Sequence, residues 1–133
     1  MILGMKITRT SNGIFIDQSH YIEKILKKYN YFDYKPVNTP FDPSVHLFPT
    51  KHENDIYNKK EYASIISSLR YATNCTRPEI AYVVGVLARF TSKTNFEHWN
   101  AITCLMRYLK RTMHYGLLRQ KYPVVIEGYS DAD

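Results

Sequence analysis

"ILGMKITRTSNGIFIDQ" (residues 2–18) is the stretch on which the fold turns. Polar and apolar side chains alternate on both sides of Ser11-Asn12-Gly13. Asn-Gly between two alternating runs is the strongest short-range signal for a tight hairpin, so a β-hairpin is predicted over about residues 2–16. The apolar period then changes from two to 3.6. In "SHYIEKILKKYN" (residues 19–30), Ile22, Ile25, Leu26 and Tyr29 recur at helical spacing, and Asp17 or Ser19 is available as N-cap. Lys24, Lys27 and Lys28 fall within about 100° of arc on the opposite face, which makes this helix apolar on one side and cationic on the other.

From about Tyr31 to Tyr57 no period survives, and Pro36, Pro40, Pro43 and Pro49 take four of the six prolines. Loops of that length are usually functional or mobile. Three helical segments follow, each with a start signal: Asn58 before Glu61, Thr76 before Glu79 and Thr94 before Glu97, all at capping-box spacing. Pro78 suits a first helical turn, where a missing N–H costs nothing. The last of the three, "FEHWNAITCLMRYLKRTM" (residues 96–113), puts Trp99, Ile102, Leu105, Met106, Leu109 and Met113 on one face and Arg107, Lys110 and Arg111 on another. Gly116 is placed to end it. "GLLRQ" then reads as a short strand, Lys121-Tyr122-Pro123 as a turn and "VVIEGYS" as a closing strand. The fold class expected is α+β: an N-terminal β-hairpin, a helical middle of about four helices, and a C-terminal β-hairpin. An isolated hairpin is marginally stable, so each terminal one is expected to belong to a larger sheet.

Composition bounds the function. Lysine plus arginine outnumber aspartate plus glutamate 18 to 12, a net charge of +6, which favours a polyanionic partner such as nucleic acid. The alternative for each basic cluster is a solvent-facing helix side. Cys75 and Cys104 lie in unrelated segments without ligand-spaced histidine, and read as reduced packing residues. No apolar run has membrane-spanning length, no secretory h-region opens the chain, and an intracellular location is expected, cytoplasmic or nuclear. Asp131 and Asp133 end the closing strand. Paired acids on a strand are one way to hold Mg²⁺ against a phosphate.

Four stretches in order, "LGMKITRTSNGIFIDQSHYIEKIL", "YASIISSLRYATNCTRPEIAYVVGVLARF", "HWNAITCLMRYLKRTMHYGLL" and "EGYSDAD", closely resemble the Pol polyprotein of copia-type LTR retrotransposons. The resemblance covers essentially the whole chain, from the end of the reverse-transcriptase palm to the start of RNase H. It implies four regions: residues 1–17 the palm end with a primer-grip-like hairpin, 18–57 the first thumb helix and the Pro-rich loop, 58–114 the helical thumb and connection, and 115–133 a truncated start of an RNase H-like domain. Leu3, Gly4 and Met5 look like the primer-grip turn, although they also suit an ordinary hairpin strand. "YASIISSLRYAT" resembles the thumb helix that tracks the template–primer duplex, with Tyr71 at the position of an aromatic. Ser67 stands where the family usually has glycine, and Arg70 where it usually has an apolar residue. Glycine suits close backbone approach, so that contact is in question. Asp131 matches a metal-binding acid of the first RNase H strand, vestigial here because the other carboxylates of a two-metal site come from further elements.

The expectation is a transposable-element-derived, truncated reverse-transcriptase fragment without catalytic activity, retaining nucleic-acid contact through Leu3, Gly4, Met5, Lys24, Lys27, Lys28, Ser67, Tyr71, Arg107, Lys110 and Arg111. Its partner would be an RNA–DNA or DNA duplex, bound weakly and salt-dependently. No small-molecule substrate, membrane or cofactor is expected, Mg²⁺ belonging to the full-length parent. A co-opted, stand-alone basic nucleic-acid-binding module is the alternative. An active enzyme would need a partner chain to complete both sites.

Overall fold

In the computed structural model, which describes residues 4–120, the alternating stretch folds into two antiparallel strands, β1 (Lys6–Thr10) and β2 (Gly13–Asp17), with Ser11 and Asn12 in the turn. Leu3, the closing strand over 124–130, Asp131 and Asp133 lie outside the described residues. The helical period after β2 becomes α1 (Ser19–Lys28), and the later segments become α2 (Lys59–Cys75), α3 (Ala81–Ala88) and α4 (Phe96–Arg111). A single turn of 3₁₀ helix, Pro78–Ile80, leads into α3 with proline in its first turn.

The α+β class holds, and the short strand read at Gly116–Gln120 is present as β3. Its partner is what the sequence pattern does not specify: β3 pairs antiparallel with β2, giving the sheet order β1-β2-β3. Glycines at both ends of the seam permit it. Gly13 lies opposite Gln120 and Gly116 opposite Asp17. A Cβ on Gly13 would stand 2.0 Å from the Arg119 carbonyl oxygen, and one on Gly116 would stand 2.1 Å from that of Ile16. Gly13 also has φ +147°, a backbone region that is essentially glycine's own.

The caps also differ. α4 is capped by Asn95, one residue after the expected Thr94. The Asn95 side chain accepts from Glu97 N at 3.0 Å and His98 N at 3.1 Å, and His98 Nδ1 returns the bond by accepting from Asn95 N. Thr94 instead donates to the Phe90 carbonyl. Thr76 closes α2 and opens no helix. Asn58 does precede α2 but in a left-handed conformation, its amide bonded to the Glu61 carboxylate and not to a backbone N–H.

The core lies between the helices. α2 packs against α1 and α3, and α4 against the same two. Tyr62, Ile65 and Leu69 of α2 meet Ile22 and Leu26 of α1, Leu87 of α3, and Ile102, Leu105, Met106 and Leu109 of α4 in one cluster. Over this bundle runs the Pro-rich segment, which is a tied-down strap and not a free linker. From the α1 end onward, Tyr31 bonds Thr103, the Phe32 and Lys35 carbonyls accept from Lys110 and Arg107, Val37 N donates to the Arg107 carbonyl, and the Phe48 carbonyl accepts from His98. At its far end Tyr57 N donates to the Thr94 carbonyl at 2.7 Å and Trp99 donates to the Tyr57 carbonyl at 2.9 Å. The strap thus runs antiparallel to α4 from one end to the other. Among the described residues no helix is long and apolar enough to cross a membrane.

Candidate nucleic-acid interface

The seam between α1 and α2 collects most of the candidate residues. Tyr21 donates its hydroxyl to the Ser68 carbonyl at 3.1 Å, and its ring meets that of Tyr71 edge-on at 5.0 Å between centroids. Two turns further along α1, Tyr29 shares a hydrogen bond with Ser64, one turn back along α2. The two helices therefore run antiparallel here. Helical spacing from Tyr21 carries Lys24 and Lys28 up the same border of α1, and the Lys28 ammonium lies 5.3 Å from the Tyr29 ring centre. Lys24, Lys28, Ser64, Ser67 and Arg70 are exposed.

The hairpin reaches the same seam. Gly4 backs directly onto Tyr21, so that a Cβ there would stand 3.6 Å from Tyr21 Cβ, and its φ is +78°. Gly4 and Met5, both half-buried, lead from this contact into β1. Gly4, Met5, Lys24, Lys28, Ser67 and Tyr71 thus share one surface, joined through Tyr21. Burial raises the Tyr21 phenol above its ordinary pKa, so it remains a hydrogen-bond donor at neutral pH. Sequence reasoning passed over Tyr21. Its position on the edge of the α1 apolar stripe, seven residues before Lys28, was the available signal.

The other cations are engaged elsewhere. Lys27 faces away from α2, 2.7 Å from the Glu23 carboxylate and 4.9 Å from the Phe32 ring centre. Lys110 approaches the same ring at 4.9 Å and donates to the Phe32 carbonyl. Arg107 donates to the Lys35 carbonyl at 2.6 Å. Two of the three α4 cations are therefore half-buried strap anchors, and Arg111 alone of the three is exposed.

A second feature that sequence reasoning missed lies beneath the sheet. Arg77 is 1% exposed. Its guanidinium donates to Glu79 Oε2 at 2.9 Å, to the Thr112 carbonyl at 3.1 Å and to Thr112 Oγ1 at 2.6 Å, with the Tyr108 and Tyr115 rings beside it. The neighbouring Thr76 donates to the Gln18 side-chain oxygen at 2.6 Å. Three chain junctions, β2 to α1, α2 to α3 and α4 to β3, meet at this polar hub. It fixes the hairpin against the helices and so sets where Gly4 stands relative to Tyr71.

No family model and no solved structure matches the chain. Curated proteins do. The retrovirus-related Pol polyprotein from transposon TNT 1-94 of Nicotiana tabacum is 40% identical over 99% of this chain, which spans 10% of that protein. Those from transposons RE1 and RE2 of Arabidopsis thaliana are 34% and 33% identical over 98% of this chain, which spans 9% of each. Along nearly its whole length, the chain is thus homologous to a segment, about a tenth of the total, of the retrovirus-related Pol polyproteins of copia-type transposons.

Proposed function

We propose that this transposon-derived segment contacts nucleic acid through the α1–α2 seam and does no bond-making chemistry of its own. One observation carries this reading: Gly4 backs onto Tyr21, whose ring meets Tyr71 edge-on across the seam, while the exposed Lys24 and Lys28 follow Tyr21 at helical spacing along its border. Exposed lysines at helical spacing beside an aromatic pair suit the phosphates of a duplex, either RNA–DNA hybrid or DNA. Phosphate contact positions a protein without reading sequence. Ser64 and Ser67 are small and exposed on α2. No metal takes part in such a contact, and no small-molecule substrate is required.

The test is a salt series on a labelled hybrid and a labelled DNA duplex. Log affinity should fall linearly with log salt, by about 0.9 for each phosphate neutralised on B-form DNA, and Lys24→Ala with Lys28→Ala should flatten the slope by roughly 1.8. Arg107→Ala, which removes a strap anchor, should leave the slope in place. Chelating divalent ions should change nothing. Binding that ignores salt, or a double variant with an unchanged slope, would remove the seam from consideration. For the chemical part, Mg²⁺-dependent degradation of an RNA–DNA hybrid that is lost on Asp131→Asn would overturn the non-catalytic reading.

A further inference from the structure

Of the five histidines only His98 is buried, in the first turn of α4. Its ring stacks on Phe90, 3.9 Å between centroids and 17° between planes. Each ring nitrogen has one partner. Nδ1 accepts from the backbone N–H of Asn95 at 3.1 Å, and Nε2 donates to the Phe48 carbonyl of the strap at 2.9 Å. One nitrogen must be bare and the other must carry a proton, so the neutral Nε2–H tautomer satisfies both bonds and the imidazolium does not. A second proton on Nδ1 would set N–H against N–H and undo the reciprocal cap of α4.

We propose that His98 is a proton-operated latch: neutral, it clasps the Pro-rich strap to the start of α4, and protonated, it releases the stretch around Phe48–Tyr57.

Release would be local because little else holds this stretch. The other ties, Thr50 to the Lys93 carbonyl at 2.6 Å, Asn95 to Thr50 at 3.1 Å, Tyr57 N to the Thr94 carbonyl, the Trp99 indole to the Tyr57 carbonyl and the Tyr57 ring stacked on Phe96, all end on the first turn of α4 or the residues just before it, where the His98 cap sits. Phe41 and Leu47 pack against the core, and open grooves lie beside them. One of about 420 Å³ lies between Phe41, Leu47 and Phe48 on the strap and Val86 and Phe90 beyond it. Another of about 360 Å³ lies between Leu47 and Thr50 and the Phe90–Lys93 turn. Phe48 is 61% exposed, so moving it sacrifices little burial.

The charges around the latch pull both ways. Glu97, next on α4, favours the imidazolium. Arg89, just past the end of α3, Lys93 in the turn before α4 and Lys51 on the strap carry the opposite sign, and His46 and His52 are the other titratable groups on that stretch of strap. Burial is the largest influence and holds the His98 pKa below its ordinary value of about 6.5, with the Phe48 carbonyl and Glu97 offsetting part of that. A released imidazole regains the ordinary value. The released form therefore binds the proton more readily, and acid favours it as pH falls through 6.5 toward the latched pKa.

Trp99, the sole tryptophan, reports on the latch directly, because its indole N–H is bonded to the strap at Tyr57. On acidification from about pH 7.5 to about pH 5, spanning histidine's range, Trp99 emission should shift to the red while far-UV helicity holds. The shift should track the His98 imidazole followed by NMR. His98→Gln keeps a donor for the Phe48 carbonyl and takes up no proton, so it should abolish the shift, whereas His46→Gln and His52→Gln should preserve it. The proposal is overturned by a shift that survives His98→Gln, by no shift at all, or by one that coincides with loss of helicity. Should His98→Gln not fold, the wild-type protein decides. A neutral Nε2–H tautomer titrating together with the Trp99 indole proton supports the latch, and an imidazole titrating with no change at Trp99 refutes it.

Discussion

Arg77 shows how much one side chain can organise. A guanidinium is a rigid, always-charged fork, and here its donors reach an anion, a carbonyl and a hydroxyl from two other parts of the chain. Arg77→Met should lower stability by about 2–4 kcal/mol through lost hydrogen bonds and imperfect refilling of the site. The cost should stay below that of breaking a wholly buried pair, because the Glu79 side chain is 43% exposed and can be rehydrated. A urea midpoint that drops with an unchanged slope would establish this as a stability effect. Arg77→Lys keeps the charge without the fork and should recover only a minor part; full recovery would show that charge alone is what the hub needs. None of this is legible locally. Thr76-Arg77-Pro78-Glu79 carries a sound helix-start signal, and Pro78 does sit in a first turn, but the partners of Arg77 come from Thr112, 35 residues on. His98 is similar: an acceptor three residues after the cap is the expected pattern, and a histidine in the usual place of glutamate conceals it.

Elements were easier to read than their partners. The change from a period of two to 3.6 marks the hairpin and α1 to within a few residues, since periodicity reports which face is buried. The β2–β3 pairing leaves no such trace except the glycines that permit it. Gly13→Ala should therefore separate β3 from β2, costing about 1–3 kcal/mol for the forced backbone conformation alone. Cross-strand contacts between residues 13–17 and 116–120 should vanish from NMR spectra, and their survival would mean that the strands can shift to accept a methyl group. Gly85 is the control. It lies within α3 with nothing within 4 Å of an added Cβ, so Gly85→Ala should stabilise by roughly 0.5–1 kcal/mol. The basic helix faces were legible as composition and not as function. Spacing alone cannot separate Lys24 and Lys28, on an open rim, from Arg107 and Lys110, which hold strap carbonyls.

For the molecule as a whole, apolar burial is concentrated among the helices, and β1 is exposed along its full length. Hydrogen exchange should be slowest in the interiors of α2 and α4 and fastest in β1, because protection follows the stability of the unit that must open. A β1 protected as well as α4 would place the sheet inside the cooperative core. The order of the strands has a further implication, for the timing of assembly. β2 and β3 are partners separated by about a hundred residues of chain, Asp17 lying opposite Gly116. Long-range pairing of this kind slows folding. On a ribosome adding about 5–20 residues per second, the free edge of β2 would wait roughly 5–20 s for its partner to emerge. In that interval β2 is an open template, and the helices between must bring β3 to it before a strand from another nascent chain does.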